Sequence, residues 1–228
     1  MLRYFVILAT VIPTQATPWS ETFKAHPHWQ TAQEVTVKDK TLIIQHGHSP
    51  KLFTNASNPK KSGYLETLGK FGDCTVEAEF MIPKGSNSGI YLQGRYEVQI
   101  FDSFGKEKAG DGDMGGIYHR WDNNRAPKGF EGHAPKSNAA KAPGEWQKLI
   151  IKFRAPRFDS AGKATEKPIF LSVVLNGQEI HRNVTVHGPT RSAQRKGFAA
   201  QDPIFIQGDH GPIVFRIFKI KTENFVKR

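Results

Sequence analysis

The sequence contains a single cysteine, Cys74, among its 228 residues. One cysteine cannot form an internal disulfide, so the fold depends on its hydrophobic core alone. Cys74 lies in the stretch Asp73-Cys74-Thr75-Val76, which is flanked by apolar side chains. We interpret Cys74 as a small buried residue that fills space in the core, and not as a catalytic thiol.

The sequence also lacks an apolar run near the roughly 20 residues that a membrane-spanning helix needs. The N-terminal run, residues 4–12, follows Arg3 and precedes Thr14-Gln15-Ala16, an ending suited to cleavage. This pattern predicts a signal peptide over residues 1–16, and hence export to the periplasm or the extracellular space. A buried N-terminal strand is the alternative for the same run. Residues 17–228 are then predicted to form a single domain without a transmembrane segment.

Acidic residues are few, because 21 Asp and Glu oppose 32 Lys and Arg and leave a formal net charge of +11. Such a balance is typical of proteins that bind nucleic acid, anionic surfaces or acidic polysaccharide. Here the basic residues are scattered, and neither a helical pattern nor an aromatic-basic RNA motif organises them. We therefore expect no nucleic-acid partner, and we attribute the charge to solubility and association with the cell envelope.

No window of the sequence shows a convincing 3.6-residue apolar period. Short runs of alternating apolar and polar residues, separated by turn residues, predict antiparallel strands instead. The Asn176-Gly177 pair predicts a tight hairpin, because both residues tolerate a positive φ. The fold class is therefore all-β, a sandwich of two antiparallel sheets. The predicted strands are residues 35–37, 42–44, 75–82, 90–93, 96–101, 146–154, 169–175, 204–207 and 213–220.

Residues 105–144 differ from the rest of the sequence, since they are rich in Gly, Pro, Asn, Asp and Lys. A long irregular stretch within a compact domain is usually functional or disordered. This one contains Tyr118, His119, Trp121 and His133, which favours a loop that lies over a binding face.

The predicted strand at residues 96–101 carries the most informative side chains. Alternation places Glu97 and Gln99 on one face, while Val98 and Ile100 point into the core. Strict alternation would turn Asp102 toward the core, and a one-residue bulge near Phe101 would return it to the polar face.

Glu77, Glu79, Tyr91 and Gln93 share the parity of this polar face. Three adjacent strands would then present carboxylates, amides and aromatic rings on one surface, a mixture that suits the hydroxyls and the C–H faces of a sugar. The solvated outer face of a sandwich is the alternative interpretation of the same pattern.

His210 lies beside Asp209 in a turn between two predicted strands. A histidine there has a pKa suited to general acid or base catalysis, although a loop histidine that bonds to the backbone is an equal alternative. Nine His are present, but no spacing among them predicts a strong metal site. The sequence therefore leaves the metal ligands unknown.

Several segments together resemble the 3-keto-disaccharide hydrolase domain family, also described as 3-keto-glucoside 1,2-lyase and 3-keto-2-hydroxyglucal hydratase. The resemblance spans residues 18–221. The segments are residues 87–94 (NSGIYLQG), 96–102 (YEVQIFD), 143–146 (PGEW), 153–159 (FRAPRFD), 175–177 (LNG), 188–190 (GPT) and 207–216 (QGDHGPIVFR).

The resemblance implies a concanavalin A-like, laminin G-like jelly roll with a sugar site on its concave sheet. It also implies a substrate with a ketone at C3, which acidifies the C2 proton and permits elimination of the C1 leaving group, with later addition of water. That chemistry needs a base, an acid and donors for the developing enolate. A divalent cation is a cofactor that the resemblance allows.

On this basis Glu97 is expected to act as the base or its acid partner, and Asp102 and His210 complement it. The spacing Glu97-x-Gln99-x-x-Asp102 is similar to the Glu-x-Asp-x-x-Glu strand of laminarinase-type glycosidases, but the middle carboxylate is missing, which argues against ordinary retaining hydrolysis. The residues expected to bind substrate are Tyr91, Gln93, Gln99, Glu79, Tyr118, His119, Arg154 and Gln207.

The sequence thus predicts an enzyme that cleaves 3-keto-glucosides or 3-keto-disaccharides, with a sugar as its partner. A non-catalytic carbohydrate-binding module of the cell envelope is the alternative, because the same fold and polar-aromatic face serve both. An adhesion or protein-interaction module is a third possibility.

Overall fold

The computed structural model describes residues 19–47 and 52–226, so the predicted signal peptide lies outside the described residues. A four-residue helix, α1 (Trp19–Thr22), and a 3-10 turn (Pro59–Lys61) accompany the strands. The strands are β1 (Gln30–Ala32), β2 (Glu34–Lys38), β3 (Thr41–Gln45), β4 (Leu52–Thr54), β5 (Tyr64–Glu66), β6 (Cys74–Met81), β7 (Asn87–Leu92), β8 (Tyr96–Phe101), β9 (Arg120–Trp121), β10 (Gly129–Phe130), β11 (Gln147–Arg154), β12 (Arg157–Phe158), β13 (Ala164–Glu166), β14 (Ile169–Leu175), β15 (Gln178–Thr185), β16 (Phe205–Gln207) and β17 (Val214–Thr222).

The strands form two main antiparallel sheets. The larger sheet has seven strands in the order β1-β4-β17-β6-β11-β14-β15, and the smaller sheet has four in the order β5-β16-β7-β8. The pairs β2-β3, β9-β10 and β12-β13 form separate two-stranded ribbons. The predicted all-β sandwich is therefore confirmed. Within the described part of the chain, the helices are too short to cross a bilayer.

The core lies between the two sheets and follows from the alternation along each strand. Phe80, Phe153 and Phe215 point inward from the larger sheet, while Ile90 and Val98 meet them from the smaller one, and all five are fully buried. Burial of each such side chain stabilises the fold by about 1.5–3 kcal/mol.

Cys74 is buried in this core, as the sequence predicts. Burial is the main cause that raises the pKa of its thiol to about 12. The thiol is therefore protonated at neutral pH, and it acts as a small apolar filler.

The local turns explain how neighbouring strands pair. Asn176 and Gly177 both have positive φ, 51° and 85°, and they join β14 to β15 as the sequence predicts. A three-residue loop, Gln93-Gly94-Arg95, joins β7 to β8, whose register runs from the Leu92–Tyr96 pair to the Asn87–Phe101 pair without a shift. The bulge expected near Phe101 is therefore absent from the described β7–β8 pair.

The smaller sheet continues beyond β8 through a segment of the long loop. Val98 bridges to Ile117, and Ile117 bridges to His133. In this arrangement the Tyr118 backbone N–H donates to the Glu97 carbonyl at 3.0 Å. Residues 117–118 of the loop therefore extend the sheet as a short strand-like segment, which we name the added rung. Tyr118 lies there next to Glu97 on the same face.

Candidate functional site

A small polar pocket lies on the face of the smaller sheet that points away from the core. Its volume is about 180 Å³, the space of about six waters, which matches a ligand of one small ring. We name it the Glu97 pocket. Its lining residues are Asn87, Tyr91, Glu97, Gln99, Tyr118, Arg191, Ser192, Gln207 and His210.

The strand register gathers these side chains. Tyr91 on β7 pairs with Glu97 on β8, which is followed by Tyr118 on the added rung. Phe205 on β16 pairs with Tyr91, which places Gln207 two residues further along the same face. Alternation on neighbouring strands therefore brings together residues that lie more than 100 positions apart in the sequence.

Glu97 is the most unusual group in the pocket. Its side chain is 1% exposed, and neither carboxylate oxygen makes a hydrogen bond of good geometry to a described residue. Burial raises the pKa of Glu97 to about 8, and the nearby Tyr91 hydroxyl offsets this rise only in part. Glu97 is therefore mostly protonated at neutral pH, and it titrates in the range where proton transfer is efficient.

Two further acceptors in the pocket have no protein partner. Asn87 Oδ1 and Gln207 Oε1 are both buried and, among the described residues, lack a hydrogen bond. The Gln207 amide is oriented by donation of its N–H to the Tyr64 hydroxyl at 3.2 Å. Unpaired buried polar atoms cost about 1–3 kcal/mol each, so their convergence with Glu97 favours a ligand that donates several hydrogen bonds.

The tyrosines around the pocket supply donors to match. Burial raises the pKa of Tyr91 well above its usual value, and the Glu97 charge reinforces this effect. Burial likewise raises the pKa of Tyr118, although the Arg191 guanidinium opposes that rise. Both phenols therefore keep their protons at neutral pH, and they are available to donate to a ligand oxygen.

Arg191 and Ser192 reach the pocket from the segment that follows β15. Thr190 docks this segment on β8, since its N–H donates to the Arg95 carbonyl at 2.8 Å and its hydroxyl accepts from the Glu97 N–H at 3.3 Å. The buried Arg95 guanidinium bonds to the Lys196 carbonyl at 3.0 Å, which holds the other end of the segment. The position of Arg191 is thus fixed by the strand that carries Glu97.

His210 lies at the mouth of the pocket with its side chain about half exposed. Its Nδ1 is 2.6 Å from Asp209 Oδ1, so the carboxylate sets the orientation of the ring and directs Nε2 away from Asp209. Asp209 does not itself line the pocket. The pair is arranged like a base and the group that orients it.

The structure brings six of the predicted site residues together and separates five others from them. The six that line the Glu97 pocket are Tyr91, Glu97, Gln99, Tyr118, Gln207 and His210. Their roles stay predictions, since position alone does not assign a catalytic or a binding function.

Glu79 and Arg154 are far from this pocket because their strands belong to the larger sheet. On its outer face, Glu79 Oε2 accepts from the Arg216 guanidinium at 2.6 Å. Arg154 forms an ion pair with Glu166 at 2.7 Å. The expectation that β6, β7 and β8 present one continuous surface is therefore wrong.

Gln93, Asp102 and His119 also point elsewhere. The Gln93 amide donates to the carbonyls of Phe71 and Ala200, each at 3.1 Å, within the turn that ends β7. Asp102 follows β8 and accepts from the Gly85 N–H at 2.9 Å. His119 alternates with Tyr118 and pairs with Asp111 at 2.9 Å on another wall. None of the three complements Glu97 directly.

Asn87, Arg191 and Ser192 are pocket residues that sequence reasoning missed. A signal was available for two of them, since Asn87 opens one of the resemblance segments and Thr190 closes another immediately before Arg191. Alternation did not single out Asn87, because the predicted strand covers only residues 90–93, whereas β7 begins at Asn87. The docking of residues 190–192 depends on side-chain hydrogen bonds that no local pattern announces.

The divalent cation that the resemblance allows stays a prediction. Across residues 19–47 and 52–226, no group of three or more His, Cys, Asp or Glu side chains gathers around a common point. The pocket itself offers Glu97 and His210 as such ligands. We therefore derive no step through a metal.

Gly89 creates the space that the Glu97 carboxylate occupies. A Cβ atom placed on Gly89 would overlap Glu97 Oε1. We predict that Gly89→Ala displaces this carboxylate, lowers the free energy of unfolding by about 1–3 kcal/mol and reduces activity on any substrate of the pocket. Chemical denaturation and initial rates would measure both effects.

The matching control is the same change in a Glu97→Ala background. Removing the carboxylate removes the overlap, so the stability cost of Gly89→Ala should fall close to zero in the double variant. An equal cost in both backgrounds would contradict this account of the pocket.

Comparisons with known proteins identify the family and the fold of the chain. The family model of the 3-keto-alpha-glucoside-1,2-lyase-like domain matches residues 18–221. The structure of a candidate glycosyl hydrolase from Parabacteroides distasonis has 26% identity and a TM-score of 0.61, with 90% of this chain and 84% of that chain covered. No curated protein matches the chain.

Two further candidate glycosyl hydrolases from Parabacteroides distasonis share the fold. One has 18% identity and a TM-score of 0.50 over 86% of this chain and 99% of that chain. The other has 12% identity and a TM-score of 0.53 over 86% and 89%. At such identities the likeness concerns the fold alone.

Proposed function

Because this chain belongs to the 3-keto-alpha-glucoside-1,2-lyase-like domain family, we propose that it cleaves the glycosidic bond of 3-keto-glucosides by elimination between C1 and C2. The activity is carbohydrate-related at the level of the family. The ketone at C3, the order of bond breaking and the roles of individual residues are the parts that we propose.

One observation carries the proposal: among the described residues that line the Glu97 pocket, Glu97 is the only carboxylate. Ordinary retaining or inverting hydrolysis uses two carboxyl groups, about 5–5.5 Å or 6.5–9.5 Å apart, on either side of the scissile bond. A pocket with one buried carboxyl and many neutral donors lacks that pair. It supports a reaction in which one carboxyl group moves one proton.

Elimination from a 3-keto sugar is such a reaction. The C3 carbonyl acidifies the C2 proton, and the ionised Glu97 takes that proton as the C2–H electrons form an enolate across C2 and C3. The enolate then collapses, so that the C3 carbonyl returns, a C1–C2 double bond forms, and the C1–O bond breaks. The leaving oxygen takes a proton to become an alcohol.

The raised pKa of Glu97, about 8, suits the base in this step. A carboxylate with an ordinary pKa is a weak base toward carbon, whereas a buried one has a higher proton affinity and still ionises near neutral pH. The pH dependence should follow, because activity should rise with pH as Glu97 ionises.

Tyr118 and Arg191 are the groups that we propose to stabilise the enolate. Tyr118 adjoins Glu97 across the added rung, and the Arg191 guanidinium is close enough to lower the pKa of the Tyr118 phenol. A donor and a fixed cation at one side of the sugar would accept the charge that develops on the C3 oxygen. Donors fixed before the reaction need little rearrangement as the charge forms.

His210 is suited to protonate the leaving oxygen, because Asp209 orients its ring at the mouth of the pocket. Asn87, Gln99 and Gln207 would bind the remaining hydroxyls of the sugar. Addition of water across the C1–C2 double bond would complete a net hydrolysis, with the new C2 hydrogen supplied through Glu97.

The decisive experiment compares methyl 3-keto-glucoside, as both anomers, with methyl glucoside. We expect methanol release from a ketone substrate and none from the unoxidised sugar, and reaction in D₂O should place one deuterium at C2 of the hydrated product. Equal cleavage of the unoxidised sugar would overturn elimination. Tight binding of both sugars without turnover would favour a carbohydrate-binding module.

A further inference from the structure

A second and larger cavity lies beside the Glu97 pocket. It is a groove of about 710 Å³ between the β9–β10 ribbon and the loop that precedes Ile117. We name it the Trp121 groove. Its lining residues are Lys108, Ala109, Gly110, Asp111, His119, Trp121, Pro127, Gly129, Phe130, Gly132 and Ala134.

The floor of the groove is made of residues with little or no side chain. A Cβ on Gly129 would press against the His119 ring, and a Cβ on Gly132 would overlap the Asp111 carboxylate. The ribbon therefore packs directly on the Asp111–His119 pair. Such a floor accommodates a flat ligand.

Aromatic rings form the side of the groove. Trp121 is 39% exposed, which is unusual for so large an apolar side chain, and its ring centroid lies 5.9 Å from that of His119. Phe130 projects from the partner strand and carries the Arg125 guanidinium at 4.1 Å from its ring centroid. Exposed rings of this kind pack against the apolar faces of sugars and of other rings.

The groove and the Glu97 pocket share a wall. Tyr118 lines the pocket and His119 lines the groove, and their ring centroids are 4.2 Å apart. Arg191 of the pocket places its guanidinium 4.0 Å from the Trp121 ring centroid. A ligand that fills the pocket therefore has the groove as its adjoining space.

We propose that the Trp121 groove binds the leaving group of the substrate, a second ring that is either a sugar or a phenol. This inference rests on the proposed function. The pocket has room for one ring, so the group attached at C1 must lie outside it. The groove is larger than the pocket, adjoins it and presents the partly exposed Trp121 ring. Trp121 is then a specificity-determining residue, and it takes no part in proton transfer.

The test uses Trp121→Ala and three substrates: methyl 3-keto-glucoside, a 3-keto-disaccharide and a phenyl 3-keto-glucoside. Loss of a ring contact should lower kcat/KM for the two ring-bearing substrates by about 10-fold. Because Trp121 also packs on Arg191, kcat/KM for the methyl glycoside should fall as well, but clearly less than for the two ring-bearing substrates. Trp121→Phe should keep most of the activity on ring-bearing substrates.

The matched control is Trp146→Ala. Trp146 is also partly exposed, and it also carries an arginine, with the Arg216 guanidinium 4.5 Å from its ring centroid. It packs beside a separate small cluster that includes Val35 and Leu42, outside both cavities. A comparable loss with this variant would show that the effect is structural, and it would overturn the assignment.

An additional loss confined to the disaccharide identifies a sugar site, and an additional loss confined to the phenyl glycoside identifies a phenol site. Equal changes with all three substrates, or no change with any, would overturn the proposal. Turnover of the methyl glycoside by the unaltered protein tests the proposed function separately. If that turnover is absent, calorimetry can measure the binding of phenol and of a disaccharide. Weaker binding to Trp121→Ala than to the unaltered protein would support the groove as their site, and equal binding would overturn it.

Discussion

Glu97→Gln is expected to reduce turnover of methyl 3-keto-glucoside by about 10²- to 10⁴-fold, the range of a general base. Glutamine keeps the size and the burial of the side chain, so the pocket should retain its shape. It has no titrating oxygen, so the C2 proton has no acceptor. The rate would be measured as methanol release at saturating substrate, and KM should change little.

Glu79→Gln provides the control for this experiment. Glu79 has the same parity in the sequence pattern as Glu97, but it lies on the outer face of the larger sheet in ion pairs with Arg216 and Lys148. Its replacement should leave turnover within about twofold of the unaltered protein. Comparable losses in both variants, or an active Glu97→Gln protein, would refute the assignment of Glu97 as the base.

The second large effect concerns stability, because the same carboxyl is costly to bury when it is charged. In the folded protein the pKa of Glu97 is about 8, against 4.5 for an unperturbed glutamate. Between these values the folded state holds a proton that the unfolded chain has released. The free energy of unfolding therefore falls as pH rises through this window, by a total on the order of 3–5 kcal/mol, and levels off above the folded pKa.

Glu97→Gln removes this dependence. Below about pH 4.5, where Glu97 is protonated in both states, the two proteins should unfold at similar denaturant concentrations, whereas above about pH 8 the variant should be the more stable one. Denaturant unfolding at several pH values would give the difference directly, and contributions from other titrating groups cancel in that difference. A difference that is independent of pH would show that Glu97 is not desolvated as described.

Much of the fold was predictable because it follows from local rules. Alternation in β6 and β11 identifies which of their residues face the core, and the Asn176-Gly177 pair specifies its turn by positive φ alone. The same rule puts Glu97 and Gln99 on one face of β8. These features depend on a few neighbouring residues, and the sequence contains them in full.

The membership of each strand in a sheet was not predictable in this way. Strands β6 and β7 are consecutive in the chain but belong to different sheets, so parity alone wrongly grouped Glu79 with Glu97. The sequence analysis also missed Arg191, the positively charged side chain of the pocket. Arg191 does not belong to a strand, and the contacts that Thr190 makes with Glu97 and Arg95 hold it in position. Such contacts join distant parts of the chain, and no local pattern reports them.

The exposed tip of the β9–β10 ribbon has a practical consequence. Residues 121–128 are all solvent-exposed, and the tip lies at the edge of the groove, whereas Glu97 is held by the sheet below. Changes in the length or composition of this tip should therefore alter which groups enter the groove without disturbing proton transfer. A library of grafted tip sequences, selected on different aglycones, would be a direct route to catalysts with new selectivity on an unchanged scaffold.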